Sequence, residues 1–300
     1  MGSNGSSWKR FDEAFRIVNR DGARPEREQG AGTSQAARPA RGVALVSGKG
    51  GVGRSVLAAN LSIALANAGR SVVLVDGHLD LPNLDLLVGL TPRGDLHDVV
   101  SGERDVADAL HAVGENLRLL PGRLGSDLLA NLDEIRHARL VQSVSRASAG
   151  ADWLIVDTPP GLGRASLAFA SSVPEVLLVA TPEPAAVADA YATIKAVVAR
   201  RRSVRVRIVV NRVTSEDEAR RVGRRLISLA RRSLDFHPEY FGLVYEDAAV
   251  TQAAHLMKPF VLLYPESPAS VCVADLASRL SAPPGEHAVP AGRLRKEVAR

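Results

Sequence analysis

The densest concentration of chemistry in this 300-residue chain is the octet Gly48-Lys49-Gly50-Gly51-Val52-Gly53-Arg54-Ser55. Glycines let successive backbone N–H groups turn toward one point and approach a tetrahedral anion closely. A helix pattern opening at Arg54-Ser55 and running through Val56 adds unsatisfied donors aimed at the same point. The spacing is that of the phosphate loop G-x-x-x-x-G-K-[ST], with Arg54 where the lysine would stand. A glycine-rich turn without a ligand shares this composition, but it requires neither the apolar strand before it nor the Ala-rich helix after it. Arginine keeps the positive charge, yet its planar fork is larger than an ammonium and does not exchange freely with it at a tight phosphate site. The loop is therefore expected to bind a phosphate chain weakly, or with the guanidinium turned aside.

Other candidates stand where apolar runs end. Asp76 follows VVLV, Asp157 follows WLIV, Asn211 follows a late β-branched run, and Asp247 precedes a helix pattern near 250–257. A carboxylate at a strand end can hold a divalent cation through water, or it can cap the next helix, and both readings stay open for all three aspartates.

The elements that must position these groups read as strands at Val43–Val46, Val72–Val75, Leu117–Leu120, Trp153–Val156, Val176–Ala180, Val206–Val210 and Phe241–Val244. Helix patterns lie between them at about 54–68, 132–147, 164–171, 185–200, 216–232 and 268–280. Nearly all-apolar strands alternating with helices predict an α/β fold, a mostly parallel sheet covered by helices on both faces. With 46% hydrophobic, 24% charged and 4% aromatic residues, the chain is neither wholly disordered nor a small disulfide scaffold, and its core is built from Ala, Val and Leu. The single Cys272 excludes an internal disulfide and a cysteine zinc cluster.

Residues 21–41 form a breaker-rich linker, preceded by a basic segment in which Trp8, Phe11, Phe15 and Val18 recur at helical spacing. The folded unit is expected over 42–280 and a tail over 281–300. The first residues carry no apolar export core, and no later run is apolar enough to span a bilayer. The charge of +5 is partly local, at Arg200-Arg201-Arg202, Arg220-Arg221, Arg224-Arg225 and Arg231-Arg232. These clusters read first as solvated helix faces.

The octet resembles the deviant phosphate loop of the MinD/ParA-type P-loop ATPases, and VVLVDGHLDLPNLD at 72–85, DWLIVDTPPG at 152–161 and VVNRV at 209–213 agree with that family. VATPEPAAVADAYATIK at 179–195 is most similar to its flagellar-number (FlhG/FleN) branch. The resemblance covers about residues 42–280. It implies ATP or ADP and Mg2+ as cofactors, Lys49 reaching across a nucleotide-sandwich dimer to the partner's phosphates, and Ser55 and Asp157 as metal positions, the latter through water. It further implies Asp76 as an organiser of the first switch, Asn211 at the base, and Asp247 near base or ribose.

One departure from the family adds to that of Arg54. The first switch of the family reads D-x-D, its second carboxylate orienting the attacking water, whereas this chain has Asp76-Gly77-His78. His78 accepts a proton when neutral but lacks the fixed charge, and Asp80 is displaced by two residues. Slow or absent hydrolysis is expected, with nucleotide-dependent assembly outlasting turnover.

As partners the resemblance implies a second copy or a relative in an ATP-dependent dimer, a signal-recognition-type flagellar GTPase, or a transcriptional activator. In that branch a D-Q-A-x-x-L-R element engages the GTPase, and Asp12-Glu13-Ala14-Phe15-Arg16 echoes it in part. Peripheral contact with the inner face of the membrane from a cytoplasmic location is also implied, although Leu294 and Val298 offer only a thin apolar stripe. Two rival readings remain: a scaffold that ignores nucleotide, and a DNA-associated ATPase that uses the arginine clusters.

Overall fold

A computed structural model describes residues 39–79, 81–126 and 133–282. The N-terminal amphipathic segment, nearly all of the linker, the tail and Asp80 lie outside the described residues. Among the described residues eight strands form one sheet: β1 (Arg41–Val46), β2 (Val72–Asp76), β3 (His111–Ala112), β4 (Leu117–Leu120), β5 (Trp153–Asp157), β6 (Glu175–Ala180), β7 (Arg205–Val213) and β8 (Glu239–Tyr245). Their spatial order is β3-β4-β2-β5-β1-β6-β7-β8, and every neighbouring pair is parallel except β3 with β4.

The apolar strand sequences follow from double-sided burial. Along β1, Ala44 and Val46 face one core while Val43 and Leu45 face the other. Along β5, Leu154 and Val156 join the first core, Trp153 and Ile155 the second. The second core is closed by α1 (Arg54–Asn67), α2 (Leu84–Val88), α8 (Ala248–His255), α9 (Phe260–Leu263) and α10 (Pro268–Ser281), which contribute Leu57, Leu61, Leu84, Ala253, Phe260 and Val273. The first is closed by α3 (Leu96–Ser101), α4 (Glu134–Ala147), α5 (Arg164–Ser172), α6 (Pro184–Arg200) and α7 (Glu216–Leu234) through Val100, Leu140, Leu167, Val187 and Leu226. Burying each such aliphatic side chain contributes about 1.5–3 kcal/mol relative to exposure.

Helix ends are set by side chains readable in the sequence. Ser215 accepts a hydrogen bond from Glu218 N–H at the start of α7, Ser267 accepts from Ser270 N–H at the start of α10, and Asp95 forms a capping box with Asp98 at α3. The seven strands and six helices expected from patterning are all present. Patterning misses β3, α2, α3 and α9, which run two to six residues and are too short to show a period.

The topology decides where a site can form. From β1 the chain crosses to β2 on the far side of β5, whereas from β5 it crosses β1 to reach β6 on the other side. Such a reversal opens a crevice at the carboxyl ends of the central strands, where open α/β sheets bind ligands. Val46, Asp76, Asp157 and Ala180 all end strands at that edge.

Candidate functional site

The octet bridges the carboxyl end of β1 and the first turn of α1. Gly53 caps α1 in the left-handed region, at φ 84° and ψ 17°. A side chain is strained there, and a Cβ would lie 2.4 Å from the Asn211 amide nitrogen. Gly48 answers a different constraint, because a Cβ on it would lie 2.3 Å from the backbone oxygen of Asp189 in α6. The loop therefore packs against α6 backbone to backbone. No acidic residue occupies the first turn of α1, so its N–H groups and positive dipole end face the loop unopposed.

Two cations leave the loop in different directions. Lys49 extends to Glu183, with Nζ 3.0 Å from Oε2, and both side chains are substantially exposed. Glu183 also accepts a 2.5 Å bond from the Thr181 hydroxyl. The bonds from Thr181 and Lys49 hold its carboxyl below the usual range. Arg54 turns inward, and its side chain is only 6% exposed. Its Nε donates to Asp157 Oδ1 at 2.6 Å, and its Nη1 donates to the Ser47 hydroxyl at 3.1 Å. Ser47 in turn donates to the Lys49 carbonyl at 3.0 Å.

Asp157 is fully buried at the end of β5, directly beside Asp76 at the end of β2. Its Oδ2 is enclosed and, among the described residues, accepts no hydrogen bond. Asp76 gathers backbone N–H groups from the following loop: His78 bonds its Oδ1 at 3.1 Å, and Asn83 and Leu84 bond its Oδ2 at 2.9 and 3.0 Å. Burial, with the negative charge of Asp157 second, nevertheless raises the Asp76 carboxyl to about 7. Asp76 thus holds the backbone at His78, Asn83 and Leu84 and starts α2. His78 is half-buried.

On the other side of the loop, a cleft of about 200 Å3 is lined by Gly51, Gly53, Val56, Asn211, Asp247 and Phe260 among others. Asn211 donates to the Val52 carbonyl at 2.7 Å, so a β7 side chain holds the loop from beneath. A register shift between Asn211 and Val213 accompanies a positive φ of 59° at Arg212, whose Nη1 lies 3.4 Å from the Gly51 carbonyl. Asp247 is committed at both oxygens: Oδ1 accepts from Ala249 at 2.9 Å and Oδ2 from Ala269 at 3.0 Å. It lines the cleft while tying the starts of α8 and α10 together. Burial pushes its carboxyl up, but the backbone bonds from Ala269 and Ala249, with the side-chain bond from Ser267, bring it below the usual range.

Ser55, half-buried, shares the first turn of α1 with Arg54. With the unpartnered Oδ2 of Asp157 it supplies the hard oxygen donors that Mg2+ takes, so the residues fit that ion chemically. Among the described residues no cluster of three or more His, Cys, Asp or Glu side chains could hold a metal. A magnesium ion would therefore draw most of its ligands from phosphate and water. The site thus brings the octet, Asp76, Asp157, Asn211 and Asp247 to one edge of the sheet. Glu183, Ser47 and Arg212 were not legible as site residues. The only signal for Glu183 was the acidic residue set between two prolines immediately after β6.

The model of the CobQ/CobB/MinD/ParA nucleotide binding domain matches residues 43–260. The chain belongs to this family. It is 35% identical over 246 residues to Antiactivator FleN of Pseudomonas aeruginosa, covering 82% of this chain and 88% of that protein. It is 30% identical to the flagellum site-determining protein YlxH of Helicobacter pylori over 205 residues, 67% of this chain and 68% of that one. Among solved structures, the septum site-determining protein MinD of Pyrococcus horikoshii, complexed with Mg-ADP, superposes with a TM-score of 0.69 at 26% identity, covering 81% of this chain and 96% of that one. As a family member the chain carries a P-loop nucleotide-binding domain. Among the described residues no helix is long and apolar enough to cross a membrane.

Proposed function

We propose that this chain is a MinD-like regulator of flagellar number or placement, which binds ATP or ADP at the octet and switches between monomer and dimer with the nucleotide. The observation that carries this reading is the similarity to FleN across most of both chains, joined to an intact backbone cradle for phosphate at the crevice of the sheet.

The residues divide the work by position. The N–H groups of Gly51 to Val56 bind the phosphates, Asn211 supports the loop and borders the base cleft, and Ser55 and Asp157 would hold Mg2+, which supplies neutralisation of phosphate charge. Lys49 sits on an exposed pair with Glu183 worth at most about 1 kcal/mol, so its transfer to a partner's phosphates costs little. The antiactivator named among its relatives favours a transcriptional activator as protein partner. Work at the inner face of the membrane from the cytoplasm belongs to the same reading.

Counting flagella by electron microscopy, in the host with the gene deleted and with it replaced by K49A, tests the proposal. A changed number per cell in both strains is expected. Wild-type numbers in the deletion strain would overturn it.

A further inference from the structure

Arg54 has two anions within its compass. It begins at the first residue of α1, in the cradle where phosphates would bind, yet its side chain is 6% exposed and turns to Asp157, 2.6 Å away. Asp157 and Asp76 end adjacent strands in register and are both fully enclosed, so the Asp157 charge needs a cation beside it. In this structure the guanidinium is that cation. A divalent ion approaching Asp157 from solution would meet a positive charge already bonded to Oδ1, while Oδ2, though it has no hydrogen-bond partner among the described residues, is enclosed.

The geometry points to Arg54 as a gate on the metal position. Its guanidinium holds Asp157 until nucleotide phosphates draw it away, and only then does Asp157 become available to a divalent cation. This inference rests on the nucleotide-binding reading of the octet. Phosphate is a suitable competitor, since a guanidinium meets its oxygens in a bidentate, charge-assisted geometry. The exchange also keeps a cation beside the buried Asp157, because the divalent ion takes the place of the departing guanidinium. Metal and nucleotide must then bind in order, and each must strengthen the other by the same factor.

The test follows the guanidinium itself. In protein labelled with 15N-arginine, the Arg54 Nε–H should give an exchange-protected signal, assigned by its loss in R54K and broadened by solvent exchange in D157A. Millimolar Mg2+ alone should leave it unchanged, with Mn2+ remaining free by electron paramagnetic resonance. Saturating ADP with Mg2+ should move it, with Mn2+ becoming bound when it replaces Mg2+. A shift with Mg2+ alone overturns the gate, as does an unmoved signal when calorimetry shows ADP and metal both bound. Persistence of the protected signal in D157A also overturns it, since Asp157 would then not be what holds the Nε–H. Absence of any ADP binding heat removes the nucleotide-binding reading and the gate with it, an outcome distinct from the other three.

Discussion

Asp76 shows how far burial can move one side chain from its reference chemistry. Its carboxyl is raised from 3.8 to about 7 by desolvation first and by Asp157 second, against three backbone bonds that favour the charged form. Between those values the folded chain binds a proton that the unfolded chain has lost. Its contribution to stability is therefore present below about 3.8 and is lost as pH rises through about 7. Urea denaturation at about pH 5 and about pH 8 should show wild type losing stability relative to the non-titrating D76N, whereas parallel curves would refute the assignment. Two residues on, the proposed function puts His78 where the family's first switch carries a carboxylate, so H78D is expected to raise phosphate release by about tenfold or more. Unchanged turnover would mean that the water is handled elsewhere. The sequence made the types and spacing of these residues legible, including the departure at Arg54. It did not reveal that Arg54 points at Asp157, because that direction depends on strands about 100 residues apart meeting in register.

Elements were legible in proportion to their length. Helix α7 announced itself by period, α1 by an Ala-rich run of helix length, and the β-branched strands by unbroken apolarity. Among the short elements, α2 starts on Asp76 at the end of the strand before it, the capping alternative that the sequence left open, but its five residues show no period. Asp247 is the instructive case, since the sequence left it between a site residue and a cap. The structure gives both its oxygens to backbone donors of α8 and α10, at a position that also lines the cleft. D247A should destabilise the fold by about 1–2 kcal/mol in denaturant titration, with D247N retaining part of the loss. A change within error would show that the two helix starts find other acceptors.

For the whole molecule, alternation of apolar strands and helices was enough to predict a doubly covered parallel sheet, and the order of crossovers then placed the crevice. The arginines of α7 fit solvated faces: Arg221, Arg224, Arg225, Arg231 and Arg232 are exposed, opposite the buried Val222, Leu226 and Ala230. What the chain assembles with was not legible from pattern, because a two-fold contact leaves no period in the sequence. The central claim is that nucleotide sets the assembly state through Lys49. Sedimentation velocity of wild type and K49A with ATP–Mg2+ and with ADP–Mg2+ tests it most directly. The account predicts a doubled mass for wild type with ATP alone, and single mass for K49A in both nucleotides with its thermal unfolding unchanged. The same mass in all four samples would contradict it.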